Sequence, residues 1–374
     1  MKEFNDGPLQ IRQGCSQSQD AVEAIRELHA KIKQAKMEMV MFFCSSHYDL
    51  DLMQSEINEL FTCPVIGCTT AGELGPNGFT EFSVTGVSFA GDVQAKSYVL
   101  DLEDCSEEAK RVGSDIGFSL KHDGSEKCFA VLLVDGLSLA EEHLAAALYR
   151  ELGDVPIIGG SAGDDLKFDK TYVFGDGNFH TGKAVFATFR THKEFATIKF
   201  QHFQPSDSIL IVTDSDPANR VVREINGLPA VEVYAAELGV SVSDFSPSLF
   251  ANHPLVLSLN GEVYVRSIQS ANPDGSMTLF CAIENGVVLS IGQAIDPIET
   301  ANKAFQKVFD KIGQPQLTIG SNCILRRLEF EQKGLIDSMS KIYMTNNVVG
   351  FNTYGEQWDA VHVNQTFAGI AIGA

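Results

Sequence analysis

Three stretches of the chain carry apolar residues at almost every position: "MVMFFCSS" (Met39–Ser46), "CFAVLLVDG" (Cys128–Gly136) and, more weakly, "LTIGSNC" (Leu317–Cys323). Short unbroken apolar runs predict strands covered on both faces. Behind each run the pattern turns helical. "DLDLMQSEINELF" (Asp49–Phe61) sets Leu50, Met53, Ile57 and Phe61 on one helical face. "LAEEHLAAALYREL" (Leu139–Leu152) does so with Leu139, Leu144 and Leu148, with acids in its first turn. The third pattern, "FEQKGLIDSMSKIY" (Phe330–Tyr343), is weakened by an internal glycine.

After each helix comes nearly the same phrase: "VIGCTTAGE" (Val65–Glu73), "IIGGSAGDD" (Ile157–Asp165) and "VVGFNTYGE" (Val348–Glu356). Each has two β-branched residues, a glycine, a small polar run, a second glycine and an acid. The spacing from run to phrase is similar: 23 residues from Cys44 to Gly67, 24 from Asp135 to Gly159 and 27 from Cys323 to Gly350. A further strand then returns, as "FSVTGVSFAG" (Phe82–Gly91), "KAVFATF" (Lys183–Phe189) and "QTFAGIAIGA" (Gln365–Ala374). In the middle copy an extra hairpin, "TYVFGDGNFH" (Thr171–His180), precedes it around a Gly-Asp-Gly turn.

The expected fold class is therefore α/β with mixed sheets, built from repeated strand–helix–strand–turn–strand modules at about 39–91, 128–190 and 317–374. Glycine in the phrase predicts a sharp exit at positive φ. Turns at the carboxyl ends of buried strands present N–H groups and short hydroxyls, such as those of Thr69 and Ser161, to a crevice where α/β sheets hold ligands. Different material separates the copies. "NRVVREINGLPAVEVYAAELG" (Asn219–Gly239) reads as strand, turn and helix, and "EVYVRSIQSANPDGSMTLFC" (Glu262–Cys281) as a hairpin. The connector at Asp207–Ala218 divides a first domain, 1–215, from a second, 216–374.

Charge and cysteine use narrow the function. The formal net charge of −21 disfavours nucleic acid and anionic membrane as partners. No apolar run reaches the ~18 residues of a spanning helix, and the polar start shows no leader pattern. Scattered cysteines inside apolar runs suit the reduced thiols of a cytoplasmic protein. Enzymatic signals are weak. Ser161 lacks the G-x-S-x-G elbow, and no phosphate loop accompanies Asp164 and Asp165.

The ordered set "FFCSSHYDL", "PVIGCTTAGE", "IIGGSAGDDLKF", "REINGLPAVEVY", "YVRSIQ", "CAIENGVVL", "CILRRLE", "GFNTYGEQ" and "VHVNQT" resembles the FIST sensory proteins of bacteria, from about Met39 to Gly373. The likeness is closest to their stand-alone branch, which includes the NosP-like haem proteins that bind nitric oxide. It implies a ligand sensor rather than a catalyst. These 374 residues carry no kinase, receiver or cyclase segment. The resemblance then implies a separate partner, a sensor histidine kinase or cyclic-di-GMP enzyme, with biofilm control as output.

Haem needs an apolar slot and an axial ligand. His122, His143 and His192 sit among charges. The axial candidates rank His202, between Phe200 and Phe203, then His362, His47 and His180. Cys323, close to two arginines, is the cysteine to watch. A second constellation, Arg266, Arg326, Glu356 and Asn364, suits an amino-acid-like ligand, because arginine clamps carboxylates. Oligomeric state and signal direction stay open at this stage.

Overall fold

The computed structural model describes residues 7–117, 126–259 and 261–374; His122 lies outside them. Three six-stranded mixed sheets share one plan. In the first, the order is Gln10–Ser16, Val84–Ala90, Met37–Ser45, Val65–Thr70, and then the hairpin Val173–Gly175/Asn178–His180. The middle pair, Met37–Ser45 and Val65–Thr70, is parallel, and the return strand Val84–Ala90 is antiparallel to both of its neighbours.

The second sheet runs Gln94–Asp101, Lys183–Thr191, Lys127–Val134, Ile157–Ser161, then the hairpin Glu356–Trp358/Val361–Val363. The third runs Phe195–Phe200, Phe367–Gly373, Pro315–Cys323, Val348–Thr353, then Glu73–Gly75/Gly78–Thr80. So all three copies carry a hairpin, not the middle one alone. Each hairpin completes a neighbour's sheet, so the modules are locked in a ring.

The alternation within each apolar run explains its unbroken character. Met39, Met41 and Phe43 point to a central core with Phe129, Val131, Leu133, Leu317, Ile319 and Phe351. Val40, Phe42 and Cys44 face the other way, under the helices Ala21–Ile32 and Leu50–Leu60. The second and third sheets are covered likewise, by Cys105–Gly117 with Glu141–Leu152, and by Pro297–Ile312 with Ile336–Thr345. Three inner faces thus share one core.

Gly350 has a role different from the expected turn. It lies mid-strand opposite Gly320, and a Cβ there would collide with the Gly320 carbonyl oxygen. The positive-φ exit belongs to the second glycine of the phrase in the first and third copies, Gly72 at φ 103° and Gly355 at φ 153°.

A nine-stranded sheet of antiparallel pairs, from Phe203–Pro205 to Val288–Ala294, is inserted in the third module between its edge strand Phe195–Phe200 and its helix Pro297–Ile312. The third module therefore straddles residue 215. The insert has its own core around Tyr234, Phe250, Leu255 and Leu289. No helix among the described residues is long and apolar enough to cross a membrane.

Candidate functional site

The three repeated phrases meet and bond to one another. Gly163 N donates to Thr69 O (2.9 Å) and Asp165 N to Thr70 O (3.0 Å). Ala71 N donates to Asn352 O (3.1 Å), and Ser161 N to Gly355 O (2.8 Å). Buried N–H and C=O groups must find partners, and these find them in the neighbouring turn. The turns are tied to one another across the centre of the ring. Thr69 is part of this closure: its hydroxyl accepts the Tyr172 N–H at 3.0 Å.

The acids that end two of the phrases are sealed within it. Glu356 meets the hydroxyls of Thr353 (3.2 Å) and Thr366 (2.7 Å) and accepts the Thr366 N–H (3.0 Å). Burial pushes its carboxyl up to about 8. Glu73, held by Thr70 and Ser83, is pushed to about 8 for the same reason. Hydroxyls accept as well as donate, so both sites suit a neutral acid.

The expected Arg266–Arg326–Glu356–Asn364 set divides in two. Arg326 is fully buried between the rings of Phe200 and Phe330, donating to Asn322 (3.1 Å) and to His202 Nδ1 (3.1 Å). His202 Nε2 in turn bonds Glu329 at 2.8 Å. Cys323 beside them is fully buried, and burial drives its thiol well above the ordinary value, so it offers no thiolate.

Arg266 and Asn364 belong instead to a buried polar cluster around His362. Arg266 donates to the His362 carbonyl at 3.2 Å. Gln357 and Asn364 flank the ring nitrogens at 3.3 and 3.4 Å. The cluster and its surroundings draw on three places: the hairpin Glu356–Val363, the second module, and the insert. Gln357 donates to Ser161 Oγ (3.1 Å), which lies 3.5 Å from Glu141. Glu141 and Glu142 clasp Arg220 of the insert at 2.7 and 2.6 Å.

Arg220 also floors a cleft of about 250 Å³ beside Tyr354, Leu279 and Phe280, with Leu137, Leu139 and Phe168 at its mouth. Those three are 37–48% exposed, an apolar rim above a charged floor. Arg220 is held at φ 57°, a conformation uncommon outside glycine.

Burial lowers the His362 basicity, against the pull of Glu142 and Glu141, so the ring is neutral at pH 7. A neutral ring offers one N–H and one lone pair, so one flanking amide turns its oxygen to it and the other its NH₂. One polar atom of Gln357, one of Asn364 and Nε of Arg266 are left buried without a partner.

The ring nitrogens of the four histidines are engaged to different degrees. His202 has both ring nitrogens engaged, and His362 has an amide against each. His180 Nε2 is bonded to Gly175 O at 3.1 Å. His47 alone keeps a bare Nε2, its Nδ1 bonded to Ser45 at 2.9 Å, but it lines none of the clefts described. No imidazole bonds Ser161, and Asp165 accepts from Ser45 and Ser46. Among the described residues no group of three or more His, Cys, Asp or Glu could hold a metal ion.

Sequence reasoning missed Arg220 and Gln357 and saw Glu141 and Glu142 only as first-turn acids. Arg220 lies 79 residues from Glu141, and no local pattern marks such a pair.

Comparison with known proteins adds the lineage. The FIST N domain model matches residues 38–228 and the FIST C domain model residues 230–359. The uncharacterized protein MJ1623 of Methanocaldococcus jannaschii is 29% identical over 180 residues, 46% of this chain. The match covers 34% of that longer protein. A solved structure titled "Cyanuric acid hydrolase: evolutionary innovation by structural concatenation" spans 99% of this chain and 100% of its own. Its TM-score is 0.34 at 8% identity, too loose an overlap to carry an argument.

Proposed function

The chain belongs to the FIST family of signal-transduction sensor domains, and from that premise we propose that it senses a small amino-acid-like carboxylate at the buried polar cluster around His362 and the cleft floored by Arg220. One observation carries the reading: the unpartnered polar atoms of Arg266, Gln357 and Asn364. Leaving buried polar groups unpaired costs about 1–3 kcal/mol each. A ligand with a carboxylate for the guanidinium, and hydrogen-bonding groups for the two amides, recovers that cost. The apolar cleft mouth takes its side chain.

The transmission follows from who owns the walls. Arg220 and Arg266 ride on the insert, Glu141 and Glu142 on the second module. A ligand that draws Arg266 inward shifts the insert against the ring, because it binds one arrangement better than the other. A separate signalling protein, of the histidine kinase or cyclic-di-GMP class, reads that shift. The alternative, nitric oxide sensing through haem, is supported by the resemblance alone, and no step is derived through it.

A thermal-shift panel of amino acids and related carboxylates tests the proposal. A rise in melting temperature is expected for at least one, lost in Arg266→Ala. No rise for any member, or a rise that survives the substitution, overturns it.

A further inference from the structure

On a chain of net charge −21, one cleft is basic. It holds about 430 Å³ between the strand Phe195–Phe200 and the helix Pro297–Ile312, and Lys303, Lys307 and Lys311 line it. Lys303 also pairs with Glu299. Among the described residues neither Lys307 nor Lys311 has a carboxylate within ion-pair distance.

The opposite wall is a sheet edge. Among the described residues Phe195–Phe200 is the outermost strand of the third sheet and pairs only with Phe367–Gly373. Along its other side every second residue presents an N–H and C=O with no strand to meet.

The two walls run side by side in opposite directions. Phe200 packs on Phe305 at 6.0 Å, and Ile295 N bonds His202 O at the head of the helix. At the far end Gly373 lies against both Glu194 O and Ile312. Lysines four apart on a helix recur every ~6 Å along its axis. Alternate residues of a strand recur every ~6.7 Å. A strand laid on this edge with an acid at every second position would set those acids against the lysine row.

We propose that this cleft docks an extended acidic segment of a partner protein, which adds as a seventh strand to the third sheet. Main-chain bonds to Ala196–Phe200 supply the register, and the lysines select the charge. The site is distinct from the cluster around His362 and does not depend on that reading. It gives the ring a contact through which a separate protein could be held.

The test uses the full chain and a fluorescein-labelled decapeptide of alternating valine and glutamate. Controls replace glutamate by lysine, or valine by proline. Anisotropy is expected to show binding of the acidic strand peptide alone, weakened by salt. Lys307→Glu with Lys311→Glu should weaken it about tenfold or more. If that variant folds poorly, Lys307→Gln with Lys311→Gln replaces it, and at least a threefold loss is expected. Hydrogen exchange should slow at Phe195–Phe200 when the peptide binds. Equal binding of the proline peptide, unchanged binding by the lysine variants, or no protection at that strand would overturn the proposal.

Discussion

Replacing Glu356 by glutamine probes the sealed centre of the ring. In the folded chain its carboxyl stays protonated up to about pH 8, because burial opposes its charge. In the unfolded chain it ionises near the ordinary 4.5. Below pH 4.5 both states hold the proton and the group is neutral toward stability. Between 4.5 and 8 the folded state binds more protons than the unfolded, so stability falls as pH rises. At about 1.4 kcal/mol per pH unit the full window is worth about 5 kcal/mol. Relaxation around the site reduces this to about 2–4 kcal/mol at pH 8. Glutamine keeps the shape and can bond Thr353 and Thr366 without ionising. Urea unfolding from pH 5 to pH 9, followed by the fluorescence of the single tryptophan, Trp358, reads the effect. Glu356→Gln should match the parent near pH 5, exceed it at pH 8, and show a shallower fall in stability above about pH 6.5, where Glu73 still contributes. A slope equal to the parent's, or a loss at pH 8, would mean that the folded chain holds Glu356 ionised, and the reasoning would fail.

Arg220→Ala leaves Glu141 and Glu142 without their shared cation and should cost about 3–5 kcal/mol by urea unfolding at pH 7. Gly350→Ala pushes a methyl against the Gly320 carbonyl; a loss above about 4 kcal/mol, or no folded protein, is expected from circular dichroism. Haem added to the purified chain should give no stoichiometric Soret band. A band abolished by His202→Ala would show that this ring releases Glu329 and Arg326 to bind iron.

Much of the ring was legible because its cause is local. The run from Met39 to Cys44 has to be apolar throughout, since alternate residues enter different cores. The exchanged hairpins were not legible: Glu356–Trp358 pairs with Ile158–Gly160, nearly 200 residues away, and nothing in a short hairpin names its acceptor sheet. His202 was rightly placed against apolar surface, but its flanking phenylalanines say nothing about its nitrogens, which Arg326 and Glu329 occupy. Asn364 and Arg266 were chosen for their chemistry and do share the polar cluster around His362. Glu356, chosen for the same reason, does not join it, because successive residues of the hairpin strand face opposite sides, and Arg326 rides on the helix Ile324–Gln332 beside His202.

The most direct measurement is a crystal structure of the chain with the amino acid that raises its melting temperature most. The ligand's carboxylate should lie about 3 Å from the Arg266 guanidinium, with the Gln357 and Asn364 amides turned to its polar groups. A ligand seated elsewhere, with His362 and its neighbours unchanged, would contradict the assignment of this cluster as the sensing site.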